Sequence, residues 1–307
     1  MQISVIGGTG FVGQAVVERL LADGHHLRLL VRPGSTAKAP QDPRCTLVEG
    51  QLEDPASLNN CIKGTEAVIY LVGLLRENRA AGITFELLQL QGVERSIAAA
   101  QACGVPRFLL MSANGIDAGT TPYQRTKLQA EAALKASGLT WSIFRPSVIF
   151  GDPKGRMEFC SQLKAELIDS PIPAPLFYQG LLPTQAGQFQ LGPVRVEDVA
   201  AAFATALTRD DSQGQTYALC GPEAVSWKEI LTTIAAASGQ KKTMLPAPVL
   251  FIAPVAALLE RFQWFPVTRD QLSMLVAGNC CATDGFAQLG LTAAPFNAAA
   301  LAYLHNR

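Results

Sequence analysis

The sequence predicts an α/β fold, a Rossmann-type doubly wound parallel sheet with a smaller C-terminal substrate lobe. Three observations lead there. The apolar run Ile3 to Ile6 enters a glycine-rich turn, Gly7-Gly8-Thr9-Gly10-Phe11-Val12-Gly13, and an amphipathic stretch follows it. Short apolar runs then alternate with helical periods as far as about residue 150. Those runs are continuously apolar, as in parallel strands covered on both faces.

The elements follow in order. Val12, Ala15, Val16 and Leu20 give a helical period that Gly24 stops. Leu27 to Val31, Thr46 to Val48, Ala67 to Val72, Phe108 to Met111 and Trp141 to Phe144 read as strands two to six. Helices are expected over Phe85 to Cys103, with Gly104 as its stop, and over Tyr123 to Lys135. Residues 1–150 are therefore read as the dinucleotide-binding core and 151–307 as a C-terminal lobe with some elements returning to the core. In that second part, 171–193 is rich in Pro, Gly and Gln and reads as an irregular, mobile stretch. Helices over Val196 to Leu207 and Ser226 to Ser238 flank a strand at Thr216 to Leu219.

Composition narrows the function classes. With 49% hydrophobic and 16% charged residues the chain is globular, and 25 basic residues balance 25 acidic ones. No basic block marks a nucleic-acid surface. The first strand begins at residue 2 or 3, which leaves no room for a leader and suggests a cytoplasmic protein. Seven scattered cysteines without a C-x-x-C pair suit a reducing compartment and argue against a disulfide framework or zinc site. The adjacent Cys280 and Cys281 read as two core cysteines ahead of a strained redox pair. His25, His26 and His305 look like neither catalytic bases nor metal ligands, so no metal is expected. The apolar run Val249 to Leu259 contains Pro254 and is too short to span a bilayer. It reads as a buried helix, with contact to a membrane surface or large partner as the second reading.

The glycine turn carries the first chemical implication. Strand, tight turn and helix bring backbone N–H groups and the positive end of a helix dipole to a pyrophosphate, with no Cβ in the way. Gly7, Gly10 and Gly13 are spaced G-x-x-G-x-x-G, a variant of the usual fingerprint. The second strand ends Leu30-Val31-Arg32, with no acid before Asp42. An arginine there suits the 2′-phosphate of NADP(H), whereas NAD(H) enzymes usually place an acid. NADP(H) is the preferred expectation and NAD(H) the alternative. Further along, Tyr123 and Lys127 are four apart at a helix start, on one face. An ammonium beside a phenol lowers its pKa from about 10, as an acid/base group for a substrate oxygen requires.

With these residues in view, the chain resembles the extended short-chain dehydrogenase/reductases, in the atypical branch near the accessory subunit of respiratory complex I and its bacterial relatives. The similarity rests on the glycine turn, on Val48-Glu49-Gly50-Gln51-Leu52-Glu53-Asp54 and on Leu71-Val72-Gly73. It continues through Gly104-Val105-Pro106-Arg107-Phe108, Ser112-Ala113, Tyr123 with Lys127, and Arg145-Pro146-Ser147-Val148-Ile149-Phe150-Gly151. Val194-Arg195-Val196-Glu197-Asp198-Val199-Ala200 and Pro266-Val267-Thr268-Arg269-Asp270-Gln271-Leu272 complete it. The resemblance implies that backbone from Thr9 to Val12 holds the pyrophosphate and that Gln51 and Leu52 flank the adenine. It places Leu71, Val72 and Gly73 at the adenine ribose, Ser112 and Lys127 near the cofactor, and Pro146 and Val148 at the nicotinamide.

The resemblance also implies departures. The Ser or Thr that polarises a substrate carbonyl falls on Asn114, with Ser112 two residues early, and the family asparagine falls near Gln89. The stretch from Asn114 to Tyr123 is short for a substrate loop. Two functions therefore stand side by side. One is an NADP(H)-dependent oxidoreductase or epimerase acting on a small carbonyl or hydroxyl substrate through Tyr123, Lys127 and Asn114. The other is a non-catalytic NADPH-binding accessory or assembly protein of a respiratory or quinone-related system, peripheral to a membrane complex. A third, a sensor of the NADP(H) ratio, has no partner motif behind it. Arg156, Phe159, Phe177 and Tyr178 are candidate substrate contacts, with a core role for the aromatics an equal reading; the substrate and oligomeric state are not readable.

Overall fold

The computed structural model describes residues 1–180, 182–252 and 269–305. The chain divides into two compact units. The first comprises residues 1–146, 196–219 and 283–292; the second comprises 147–195, 220–282 and 293–307.

The first unit is built on a seven-stranded parallel sheet. Its strands are β1 (Gln2–Ile6), β2 (His26–Val31), β3 (Cys45–Glu49), β4 (Ala67–Tyr70), β5 (Arg107–Met111), β6 (Thr140–Pro146) and, after four strands that belong to the second unit, β11 (Gln215–Leu219). Their spatial order is β11-β6-β5-β4-β1-β2-β3. The sequence reverses direction on either side of β1 and β4, so the C-terminal strand ends open a crevice there. Helices α1 (Phe11–Ala22), α2 (Pro55–Ile62), α3 (Gly92–Ala102), α4 (Pro122–Ala136) and, after one helix that belongs to the second unit, α6 (Val196–Thr208) cover the sheet. Ile3, Val5, Leu27, Leu29, Val68, Ile69, Phe108 and Leu109 are fully buried, which is why these strands read as unbroken apolar runs.

Local chemistry sets the helix starts. Asp54 caps α2 by accepting from Ala56 N and Ser57 N at 3.1 Å. Thr121 and Gln124 form a reciprocal capping box at α4, whose first residue is Pro122. One expected element differs. The helix from 85 to 103 opens with a π-helical segment, Glu86–Gln91, before α3. The wider turn lets buried Gln89 donate to Leu74 O at 2.7 Å, a bond that helical periodicity does not foresee.

The second unit holds β7 (Ile149–Phe150), β8 (Ala174–Tyr178), β9 (Gln190–Leu191), β10 (Val194–Arg195), β12 (Val225–Ser226) and β13 (Met244–Pro248), with α5 (Phe159–Leu163) and α7 (Trp227–Ala237). Helices Arg269–Val276 and Gly285–Gln288 follow, the latter returning to the first unit. Phe150, Ile230, Leu231, Ile234 and Leu301 form its core around Trp227. The stretch 171–193 is less irregular than its composition suggests, because β8 pairs in parallel with β13. Ala174 N donates to Thr243 O, so Pro175 next to it points its missing N–H out of this two-stranded ribbon.

Two further expectations are corrected. A disulfide joins Cys220 and Cys281, with Cα atoms 5.8 Å apart, and Cys280 lies exposed outside it. Neither the expectation against disulfides nor the core pair Cys280 and Cys281 holds, because the partner is 61 residues away in sequence. Of the apolar run Val249 to Leu259, residues 253–259 lie outside the described residues. In the part before them Val249 and Ile252 pack on the core, while Leu250 and Phe251 are exposed and depart from a buried helix. Among the described residues no helix is long and apolar enough to cross a membrane.

Candidate dinucleotide site

The glycine turn links β1 to α1 with the steric economy expected of it. Gly7 has φ +92°, and a Cβ there would stand 3.0 Å from Val72 N. A Cβ on Gly13 would stand 2.0 Å from Gly7 O. The turn is thus folded against both its own helix and the end of β4, where Leu71 N donates to Ile6 O at 2.9 Å. Gly7, Gly13, Leu71 and Val72 meet in one place, with Gly8, Thr9, Gly10, Phe11 and Val12 between them in the chain. Gly10 is the N-cap of α1 and supplies no side-chain acceptor, so the first-turn N–H groups keep no capping side chain. This cradle, closed to any Cβ and carrying the positive end of a helix, fits a dinucleotide pyrophosphate.

At the far edge of the cradle, parallel register brings in a residue the sequence reading passed over. Val31 pairs with Glu49, and Gly50 N donates to Val31 O at 3.0 Å. Glu49 thus flanks the end of β2, and exposed Arg32 follows Val31 in the chain. Pro33, Glu49, Gly50, Gln51, Glu53 and Asp54 line a cleft of about 680 Å³ here, which includes expected Gln51 while Leu52 is buried beneath. Asp42, the first acid after β2 in sequence, is engaged elsewhere. Its side chain accepts from Arg44 Nε and Nη2 at 3.0 and 2.8 Å, and these bonds hold its carboxyl down at about 2.

Across the sheet, the chain after β5 goes on pairing with β6. Ser112 N donates to Phe144 O at 2.7 Å and Asn114 N to Pro146 O at 2.9 Å. Ser112, Asn114 and Pro146 therefore converge at the C-terminal edge, whereas Val148 belongs to the second unit. Lys127 is buried on α4 and donates from Nζ to Met111 O at 3.0 Å. A Cβ on Gly73 would lie 3.6 Å from the same ammonium, so Lys127 bridges the ends of β4 and β5. Burial pulls its pKa from 10.5 to about 8, against the opposing pull of Glu131 one turn on.

Tyr123 sits one turn earlier, with its ring edge-on to Phe85 at 5.6 Å. Burial pushes its phenol up to about 12. The lowering expected from Lys127 does not occur: desolvation alone acts on the phenol, and the lysine Nζ is directed to Met111 O. Several supporting residues were not foreseen. Thr126 Oγ1 bonds to Gln89 Oε1 at 3.3 Å and so ties the residue beside Lys127 to the π-helical turn. Gln124 Nε2 donates to Gly115 O at 2.8 Å and fixes the stretch after Asn114. Arg145 holds buried Glu131 in a two-pronged bond, 2.8 Å on each arm. Burial pushes Glu131 up, but hydrogen bonds and the Arg145 charge prevail and keep its carboxyl below the usual value. Of the proposed substrate contacts, Phe177 is buried against Trp227 and serves the core.

An NAD(P)-binding Rossmann fold is what this arrangement defines, and the chain belongs to the NAD(P)H-binding family, whose match covers residues 7–172. Among its relatives, the ceramide reductase of Caulobacter vibrioides is 27% identical over 84% of this chain and 77% of its own length. The mitochondrial NADH-ubiquinone oxidoreductase 40 kDa subunit of Neurospora crassa is 22% identical over 86% of this chain and 67% of its own. Among solved structures, the UDP-glucose 4-epimerase of Thermus thermophilus, in complex with NAD, superimposes with a TM-score of 0.66 at 22% identity. It covers 81% of this chain and 86% of its own, and at that identity the likeness speaks for the fold alone.

Proposed function

We propose that the protein is an NADP(H)-dependent oxidoreductase of the atypical short-chain type, acting on a small carbonyl or hydroxyl substrate. The observation that carries this reading is Lys127, an ammonium buried between Gly73 and Met111 O one helical turn from Tyr123. Moving a lysine from 10.5 to about 8 costs about 3 kcal/mol, a large fraction of a domain's net stability and difficult to account for by packing alone. Bound NADPH would supply the hydride. The α1 N-terminus would hold its pyrophosphate, Arg32 its 2′-phosphate, and Lys127 its nicotinamide ribose. Tyr123, kept protonated by burial, would give its proton to the substrate oxygen, with Asn114 as a neutral donor beside it. The reductases among the relatives support this reading.

A second reading, an NADPH-binding accessory or assembly protein, is favoured by Asn114 in place of a hydroxyl residue and by the undepressed Tyr123. Relatives described as a complex I subunit and as photosystem II assembly factors lend it weight. Tyr123→Phe separates the two. Under the first reading it reduces single-turnover hydride transfer to a carbonyl substrate by at least about 100-fold and leaves NADPH affinity unchanged. Equal turnover in the variant and wild type would refute the catalytic role.

A further inference from the structure

The disulfide sits at the two points where the chain passes between its compact units. The chain leaves the first unit after Leu219 and returns at Thr283; the bridge joins Cys220 to Cys281, so it closes the base of the whole 220–282 excursion. That excursion carries α7, β13 and the helix Arg269–Val276. The other five cysteines are outside any disulfide, so this is no disulfide-built scaffold in the manner of small secreted domains. The unit also has its own core, to which Trp227, Ile230, Leu231, Ile234 and Leu272 of the excursion contribute.

The surroundings show what opening would release. Asn279, two residues before Cys281, accepts from Gly192 N at 2.9 Å and from Ser147 Oγ at 2.8 Å, and it donates to Gln190 O at 2.9 Å. On the other arm Gly221 N donates to Gly192 O at 3.2 Å. Both cysteines are thus one or two residues from the same knot around Gly192. Both cysteines are half-buried. A Cβ on Gly192 would stand 2.9 Å from Cys220 Cβ and 3.0 Å from its sulfur, so the Gly192 backbone lies against Cys220. Cys281 lies between exposed Cys280 and exposed Ala282.

We propose that Cys220 and Cys281 form a redox modification site, opened by a dithiol reductant that attacks the Cys281 sulfur. The attacking thiolate forms a mixed disulfide with Cys281, the Cys220–Cys281 bond breaks, and Cys220 leaves as a thiolate that takes a proton from water. The second thiol of the reductant then displaces Cys281 as a thiol. The reductant ends as a disulfide, and two electrons have passed to the pair of cysteines. Partial desolvation raises the Cys280 thiol, which disfavours its thiolate. Opening frees Asn279 and, through it, Ser147, the residue between Pro146 and Val148. Any effect on the nicotinamide end rests on the proposed function; the opening itself does not.

The test uses the full-length oxidised protein under native conditions. Dithiothreitol is added, thiols are trapped with iodoacetamide, and peptides are mapped by mass spectrometry beside amide hydrogen exchange. The expected result is a linked Cys220–Cys281 peptide before treatment. After treatment both residues are alkylated while buried Cys61 and Cys160 stay unlabelled. The Gly192, Gly221 and Asn279 amides should then exchange at least about ten-fold faster, with β1 and β4 unchanged. Cys281→Ser, or Cys220→Ser should the first fail to fold, should show that faster exchange without reductant. The proposal is overturned if the linked peptide is absent, if the bridge opens only in denaturant, or if opening leaves those three amides unchanged. NADPH affinity, measured separately, reports on the proposed function and not on the bridge.

Discussion

At the scale of single residues, Gly13 and Lys127 show how steric and electrostatic demands converge on the same site. A methyl group at position 13 would overlap Gly7 O at 2.0 Å, and the obstacle is backbone, which cannot swing aside. Gly13→Ala should therefore push α1 away from the turn, lower stability by about 2 kcal/mol in denaturant titration and abolish dinucleotide binding by calorimetry. Lys127 carries a pH signature of unusual sign. In the unfolded chain it keeps its proton to about 10.5 and in the folded protein only to about 8, so between these values the unfolded state binds more protons. Its contribution to stability thus rises with pH across that window, and below about 8 the full penalty persists. Lys127→Met should be more stable than wild type at pH 7, by up to about 3 kcal/mol, with the advantage shrinking by pH 9.5. Urea denaturation at the two pH values checks this.

At the scale of elements, the parallel pairing of β2 with β3 bears on the proposed preference for NADP(H). Along the chain Arg32 is followed by no acid before Asp42, and Asp42 turns out to be committed to Arg44. The register Val31↔Glu49 puts an acid from a strand further on at the end of β2, one residue before the arginine. The two side chains should pull in opposite directions on a 2′-phosphate. Arg32→Ala is expected to weaken NADPH about ten-fold with little change for NADH, and Glu49→Gln to strengthen NADPH. Fluorescence titration of both cofactors measures the two effects. A similar lesson comes from the π-helical turn before α3. Apolar spacing marks a helix there, but the wider turn, and the Gln89 link to Leu74 and Thr126 that it permits, depend on what packs opposite.

For the whole molecule, legibility followed the range of the interactions. Strand, glycine turn and helix are local, so Gly7, Gly10, Gly13 and the alternation up to residue 150 could be read directly, as could α4 from Pro122, Tyr123 and Lys127. The strands β8 and β13 were hidden by Pro175, Pro246 and Pro248, because a proline is tolerated only where its missing N–H faces away from the partner strand, and the sequence names no partner. The bridge from Cys220 to Cys281 was hidden for the same reason, and the adjacent Cys280 drew attention to the wrong pair.

The sequence by itself determined the class of fold, the position of the dinucleotide turn and the face that carries Tyr123 and Lys127, since each depends on spacing within a few residues. Tertiary structure decided the electrostatics and the cross-links. The depression of Lys127, the rise of Tyr123, the grip of Arg145 on Glu131, the pairing of Glu49 with Val31 and the disulfide partner all arise from burial and from neighbours far away along the chain. Burial and long-range pairing are properties of the packed molecule, and no local pattern encodes them.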